Sequence, residues 1–161
     1  MDLQALKLAV YRRLPRGAQV RAVRLATPNF TVGTIGLITR DGTSVLLVRP
    51  SYREGWLPPG GFIDKGELPL EALTREIEEE LGVRMSFEPT HRVAFDLRRQ
   101  GITFVSAGLA PPGAQFVVRR PELLEAAWFP LDALPPLPHD FFEGMPEEDL
   151  DAMREVGQGA G

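Results

Sequence analysis

Hydrophobic positions recur along the chain with two periods. Leu3, Leu6, Val10 and Leu14 stand three and four residues apart, which predicts a short amphipathic helix over residues 3–14, ended by Pro15 and Gly17. The run NFTVGTIGLIT, Asn29 to Thr39, is rich in β-branched residues and predicts a strand, with Gly33 and Gly36 marking twists or close approaches. Asp41-Gly42 is a hairpin signal, and Ser44 to Val48 reads as the buried returning strand. Residues 50–61, PSYREGWLPPGG, form a loop. From Leu68 to Leu81 the period lengthens: Leu70, Leu73, Ile77 and Leu81 make one helical stripe, with Pro69 in the first turn and Gly82 as the stop. Two strands, residues 91–97 and 102–109, flank an RRQG turn. Shorter strands are expected over residues 115–118 and 126–129. A brief helix over 131–134, a terminal helix over 146–155 and a disordered GQGAG tail complete the pattern. These elements make a mixed, strand-rich α/β domain with one central helix. No repeat or shift in composition marks a second domain; residues 1–28 are a helical lead-in, 29–145 the main body and 146–161 a closing helix with its tail.

Composition narrows the function more than the fold. A chain of 161 residues is long enough to bury a core of its own. Its 18 basic and 22 acidic side chains leave a net charge of −4, which argues against broad affinity for nucleic acid or an anionic membrane. The longest apolar runs fall well short of the roughly 20 residues that span a bilayer. The absence of cysteine removes disulfides, thiolate metal sites and a cysteine nucleophile, and fits a reducing compartment. With no hydrophobic leader followed by a small-residue cleavage site, a soluble cytoplasmic protein is expected. The first helix could cover the sheet or serve a dimer contact, which leaves a homodimer open.

The concentrated chemistry lies in REIEEEL, Arg75 to Leu81. Glu76 and Glu80 are four apart and Glu76 and Glu79 three apart, so these carboxylates share one side of the helix, whereas Glu78 flanks the apolar stripe. Three carboxylates near a helix C-terminus repel one another and meet the negative end of the helix dipole. A solvated acidic face is one resolution; a hard divalent cation with oxygen ligands is the other. The local pattern by itself leaves both open.

The surrounding spacing adds a resemblance. Gly61, five residues, Glu67, seven residues, then Arg75-Glu76-Ile77-Glu78-Glu79-Glu80-Leu81-Gly82-Val83 matches GX5EX7REUXEEXGU, with U aliphatic, at every defined position. The chain resembles the Nudix hydrolase family, in particular its broad MutT-like group. The resemblance implies a Nudix fold: a mixed β-sheet sandwiched between helices, with a loop–helix–loop catalytic motif. It further implies that Glu76, Glu79, Glu80 and the Gly60 carbonyl ligate Mg²⁺ or Mn²⁺, with Glu67 and Arg75 supporting them. The implied reaction is metal-dependent hydrolysis of a diphosphate linkage in a small nucleotide-type substrate.

The remaining roles rest on position. Glu79 is one candidate general base; Glu122 and Glu125, ahead of Trp128-Phe129, are others, since the family often uses a glutamate well past the motif. Arg49, Tyr52 and Arg53 precede the motif and suit phosphate and base contact. Trp56 reads as a core anchor of that loop, Trp128 and Phe129 as core, and the isolated His91 and His139 as ordinary surface or core residues. No marker of the ADP-ribose, dinucleoside polyphosphate, NADH or coenzyme A sub-families fits. Two alternatives stay beside the small-nucleotide reading: a hydrolase of RNA 5′ ends, for which Arg98-Arg99 and Arg119-Arg120 could form a local patch, and a nucleotide-binding domain without catalysis.

Overall fold

The structure, a computed structural model, describes residues 11–89 and 92–136. Helix α1 spans Arg16–Ala26. Strand β1, Thr31–Thr39, and β2, Ser44–Pro50, are followed by the three-residue β3, Gly60–Phe62. Helix α2 covers Pro69–Leu81. Strands β4, Arg92–Asp96, β5, Gly101–Leu109, and β6, Leu123–Pro130, complete the described chain.

The strands form one sheet in the order β4-β5-β1-β2-β6, with β3 paired to β1 off that path. β1 and β5 run parallel over their whole length, from Thr31 beside Gly101 to Thr39 beside Leu109. The edge of β1 facing β2 is divided. Near the hairpin Thr39 pairs with Val45, but farther down β1 pairs antiparallel with β3, placing Ile35 opposite Gly60 and Thr34 opposite Gly61. β2 has meanwhile turned to β6 and touches the intervening loop through the Val48–Leu57 bridge. The loop that arrives with Gly60 and Gly61 is thus inserted into a split in the sheet.

The hairpin before the split is fixed by side chains. Asp41 Oδ1 accepts from the backbone N–H of Thr43 and of Ser44, each at 2.9 Å, and Thr39 Oγ1 accepts from Gly42 N–H at 2.8 Å. Beyond it, Val45 to Val48 are all buried because β2 has a core on each face. On one face Leu73, Ile77 and Leu81 of α2 pack with Ile38, Leu46, Val48 and Leu123. On the other, Leu37, Val45, Leu47 and Val105 meet Trp56 and Phe129, whose rings contact edge to face at 4.8 Å. Trp128 lies on the α2 side against Phe116. The expected core placements of Trp56, Trp128 and Phe129 therefore hold.

Helix α2 follows its pattern except at Leu70, which is only half-buried while Ala72 is buried. Glu71 reaches back to accept from Leu68 N–H at 3.0 Å, and Gly82 closes the helix in the left-handed conformation, φ 74°.

Four expectations change. Residues 16–26, read as lead-in, form a second helix: helical residues 11–13 end at Leu14 and Pro15 as expected, and Pro15 then stands at the N-cap of α1, where its carbonyl accepts from Ala18 and Gln19. Gly60 and Gly61, read as the end of the loop, form β3 with Phe62. Residues 115–118 are not a strand. Their backbone donors are taken elsewhere: Val117 N–H bonds to Leu81 O at 3.0 Å, and Arg119 N–H to Glu80 O at 2.8 Å, so this segment caps the C-terminus of α2. Residues 131–134 form a turn, not a helix. The terminal helix, the tail, His91 and His139 lie outside the described residues, as does most of the first predicted helix.

Candidate functional site

The motif's loop is locked onto its helix by one side chain. Arg75 donates from Nε and Nη2 to the two oxygens of Glu67, at 2.9 and 3.0 Å. Its Nη1 donates to Glu76 Oε1 at 2.8 Å and its Nη2 also to the carbonyl of Phe62 at 3.2 Å. Glu67 in turn accepts from Asp64 N–H at 3.1 Å. A planar five-donor fork meets all three groups at once, which a lysine could not do. The hydrogen bonds from Arg75 hold the Glu67 carboxyl below the ordinary carboxylate range, and Glu67, then Glu76, push the Arg75 guanidinium further up.

The two glycines before the helix have separate tasks. Gly60 has φ 154°, and a side chain there would run into the Thr34 carbonyl and the Ile35 Cα of β1. Only glycine lets the loop lie this close to β1. At Gly61 a Cβ would instead stand 2.6 Å from Glu76 Oε1. The missing side chain is the space in which the Glu76 carboxylate sits.

Two of the three helix glutamates are paired with arginines. Glu76 is turned to Arg75. Glu79 Oε2 lies 3.6 Å from Arg75 Nη1 and forms an ion pair with Arg120. Glu80 Oε2 is buried with no hydrogen-bond partner. Burial pushes the Glu80 carboxyl up to about 7, the charge of Glu76 adds to the shift, Arg120 opposes it, and Glu122 and Glu79 add smaller increments. Among the described residues no three acidic or histidine side chains stand together closely enough to hold a metal ion. The chemistry of these side chains would suit a hard cation: all are carboxylates, and one oxygen, Glu80 Oε2, is enclosed and unsatisfied.

Glu80 opens on a cavity of about 340 Å³. The cavity lies in the split of the sheet, and Thr34, Gly60, Gly61, Tyr52 and Arg53 line it as well. The structure thus gathers four of the expected site residues, Glu80, Gly60, Tyr52 and Arg53, on one wall system. Arg53 and Phe62 also border an adjoining cavity of about 300 Å³, with Phe95, Asp96, Arg92 and Arg99 on its far side. Arg49 is not a lining residue; it pairs with Glu125 at 3.1 Å across the β2–β6 register. Of Glu122 and Glu125, it is the charge of Glu122 that bears on Glu80.

Sequence reasoning left Arg120 as part of a surface patch and did not reach the second cavity. The adjacency of Arg119-Arg120 to the acidic helix was the available signal, but 41 residues separate Arg120 from Glu79. The contact exists only because residues 117–119 cap α2.

Comparison with known proteins bears on the fold and the family. The NUDIX domain family profile matches residues 29–147. The chain is 31% identical over 122 residues to the NAD-capped RNA hydrolase NudC of Pseudomonas aeruginosa, covering 69% of this chain and 40% of that protein. It is 30% identical over 127 residues to the 8-oxo-dGDP phosphatase of Homo sapiens, covering 75% of this chain and 38% of the relative. The chain therefore spans about 40% of the length of these curated relatives. Among solved structures, the MutT NUDIX hydrolase of Burkholderia pseudomallei superposes with a TM-score of 0.60 at 30% identity, over 78% of this chain and 98% of that one. This chain belongs to the Nudix family, and its mixed sheet with few helices is the Nudix fold. No helix among the described residues is long and apolar enough to cross a membrane.

Proposed function

We propose that this chain is a divalent-metal-dependent pyrophosphohydrolase that opens a diphosphate linkage in a small nucleotide-type substrate by attack of water on phosphorus. The observation that carries the reading is Glu80, whose side chain lines the cavity in the split sheet while one of its carboxylate oxygens is buried without a donor. An unpartnered buried carboxylate is costly, and a hard divalent cation relieves that cost where no hydrogen-bond donor does. Glu76, Glu79, Glu80 and the Gly60 carbonyl would hold Mg²⁺ or Mn²⁺. When bound, such an ion supplies positive charge against the charge of a diphosphate and of its transition state.

The remaining work belongs to the chain's own groups. Arg75, braced by Glu67, keeps the Glu76 carboxylate turned to its place beside Gly61. Arg53 offers its guanidinium to a phosphate, and the exposed ring of Tyr52 offers a stacking face to a base. Glu122 is the proton acceptor of this reading, since Glu125 is taken up by its ion pair with Arg49 at 3.1 Å. The adjoining cavity takes the second moiety of the substrate, with Phe62 and Phe95 as its aromatic walls. Residues 29–145 are the catalytic unit in this reading, flanked by 1–28 and 146–161. A reducing cytoplasm suits a chain with no cysteine.

A nucleoside diphosphate is common to the substrates in the names of the curated relatives, 8-oxo-dGDP and NAD-capped RNA. The second name gives a specific ground for the alternative reading, in which the nucleotide is the cap of an RNA 5′ end. The deciding experiment is a substrate panel with Mg²⁺ and product identification by mass spectrometry. It sets nucleoside di- and triphosphates, nucleotide sugars and dinucleotides against 5′-triphosphorylated and NAD-capped RNA. Cleavage within a diphosphate of a small substrate supports the proposal; cleavage confined to RNA ends replaces it with the second reading. Folded protein that binds Mg²⁺ and cleaves nothing favours a binding domain.

A further inference from the structure

The ion pair between Arg120 and Glu79 places a cation on one of the proposed metal ligands. The backbone that delivers Arg120 is fixed on both sides. Arg119 N–H and Val117 N–H hold it to the last carbonyls of α2, and Ser51 N–H donates to Glu122 O at 2.7 Å on the β2 side. Arg119 is spent differently: its guanidinium lies over Gly82, in the space a Cβ would fill. Arg75, although 3.6 Å from Glu79, is bound to Glu67, Glu76 and the Phe62 carbonyl and is largely enclosed. The Arg120 side chain is 43% exposed, so it can leave Glu79 by side-chain rotation while its backbone stays in place.

We propose that Arg120 is the counter-ion of the metal-free site, holding Glu79 and competing with the divalent cation for its carboxylate, so that metal entry requires Arg120 to be displaced. The inference rests on the metal-site reading above. It makes Arg120 a positioning residue that acts through Glu79. Without it, Glu79 lies next to Glu76 and Glu80 with less compensation, which destabilises the metal-free protein but leaves the carboxylate available to metal.

The test uses Mn²⁺ alone, titrated calorimetrically without substrate, together with the melting temperature of the metal-free protein. Arg120→Ala should bind Mn²⁺ about fivefold more tightly than wild type, the scale of a partly exposed ion pair, and melt about 2 °C lower without metal. Arg120→Lys, which keeps a charge but loses the planar fork, should lie between the two. In a Glu79→Gln background the Arg120→Ala change in metal-free melting temperature should shrink by more than half, since Glu79 is the carboxylate that Arg120 contacts directly and Glu80 feels its charge only at longer range. Equal Mn²⁺ affinity in wild type and Arg120→Ala overturns the inference and leaves the metal site standing. An unchanged melting effect in the Glu79→Gln background also overturns it, because Arg120 would then act on something else. Wild-type protein that binds no Mn²⁺ removes the inference and the metal-site reading together.

Discussion

Substituting alanine at Gly61 separates site geometry from folding. Its backbone is not in the left-handed region, so alanine is allowed there, unlike at its neighbour Gly60. The added methyl would stand 2.5 Å from the Glu76 carboxyl carbon, where ordinary contact begins near 3.4 Å. The carboxylate must therefore retreat by roughly 0.9 Å, a displacement on the scale at which misplaced groups lose about 10²-fold in rate. The colliding atoms are the far end of a flexible side chain, so the fold need not move. What is lost is the 2.8 Å bond from Arg75 to Glu76, a hydrogen bond between charged groups. With the partner still half-satisfied by Glu67, the cost to stability should be about 1 kcal/mol, or about 3 °C for a chain of this size. The assay is threefold: melting temperature, Mn²⁺ affinity by calorimetry, and kcat/KM on whichever substrate the panel finds. Gly61→Ala should melt within a few degrees of wild type, bind Mn²⁺ weakly and lose about 10²-fold in kcat/KM. Gly60→Ala should instead fail to fold properly, since its methyl meets β1 backbone that cannot yield. If Gly61→Ala keeps wild-type metal affinity and turnover, or unfolds as Gly60→Ala does, the role assigned to Gly61 is refuted.

Three further outcomes follow from the same geometry. Glu80 ionises near pH 7 in the folded protein and near 4.5 ordinarily, so between those values the folded state holds a proton that the unfolded chain has lost. Metal-free stability from this group is therefore fullest below pH 4.5 and falls as pH rises to 7, while the melting increase produced by Mg²⁺ should grow from pH 5.5 to pH 8; a pH-independent increase would count against Glu80 as a ligand. Arg75→Lys should lower the melting temperature by several degrees and weaken Mn²⁺ binding, because a point charge cannot span Glu67, Glu76 and the Phe62 carbonyl; wild-type behaviour on both measures would contradict the locking role. Glu122→Gln should reduce kcat by about 10²-fold or more, with Glu125→Gln much milder; the reverse order would move the proton acceptor to Glu125.

Much of the site is legible in the amino-acid sequence. The motif spacing identifies the residues, and the 3.6-residue period puts Glu76, Glu79 and Glu80 along one side of α2, next to the apolar stripe of Leu73, Ile77 and Leu81. Strands β1, β2, β4, β5 and β6 are visible as apolar, β-branched or aromatic runs between turn residues. Three places go beyond the local reading. Pro15 ends one helix and caps the start of the next, through the local bonds that its carbonyl accepts from Ala18 and Gln19. β3 is only three residues long, and residues 115–118 look strand-like but give their donors to a helix terminus; at both, the local pattern is compatible with two structures and long-range hydrogen bonds choose between them.

What the sequence by itself determined is therefore the local chemistry: which residues carry charge, which face of α2 they share, and which turns need glycine. Those properties depend on neighbours within one or two helical turns, where the covalent chain sets the distances. Only the tertiary structure decided what each carboxylate meets. Arg75 bends the loop so that Glu67 and Glu76 share one guanidinium, Arg120 arrives at Glu79 from 41 residues away, and Glu80 is left buried without a donor. The same holds for the division of the β1 edge between β2 and β3, which opens the cavity. Burial and electrostatic partnership are set by which distant segments pack together, and no periodicity along the chain encodes that distance directly.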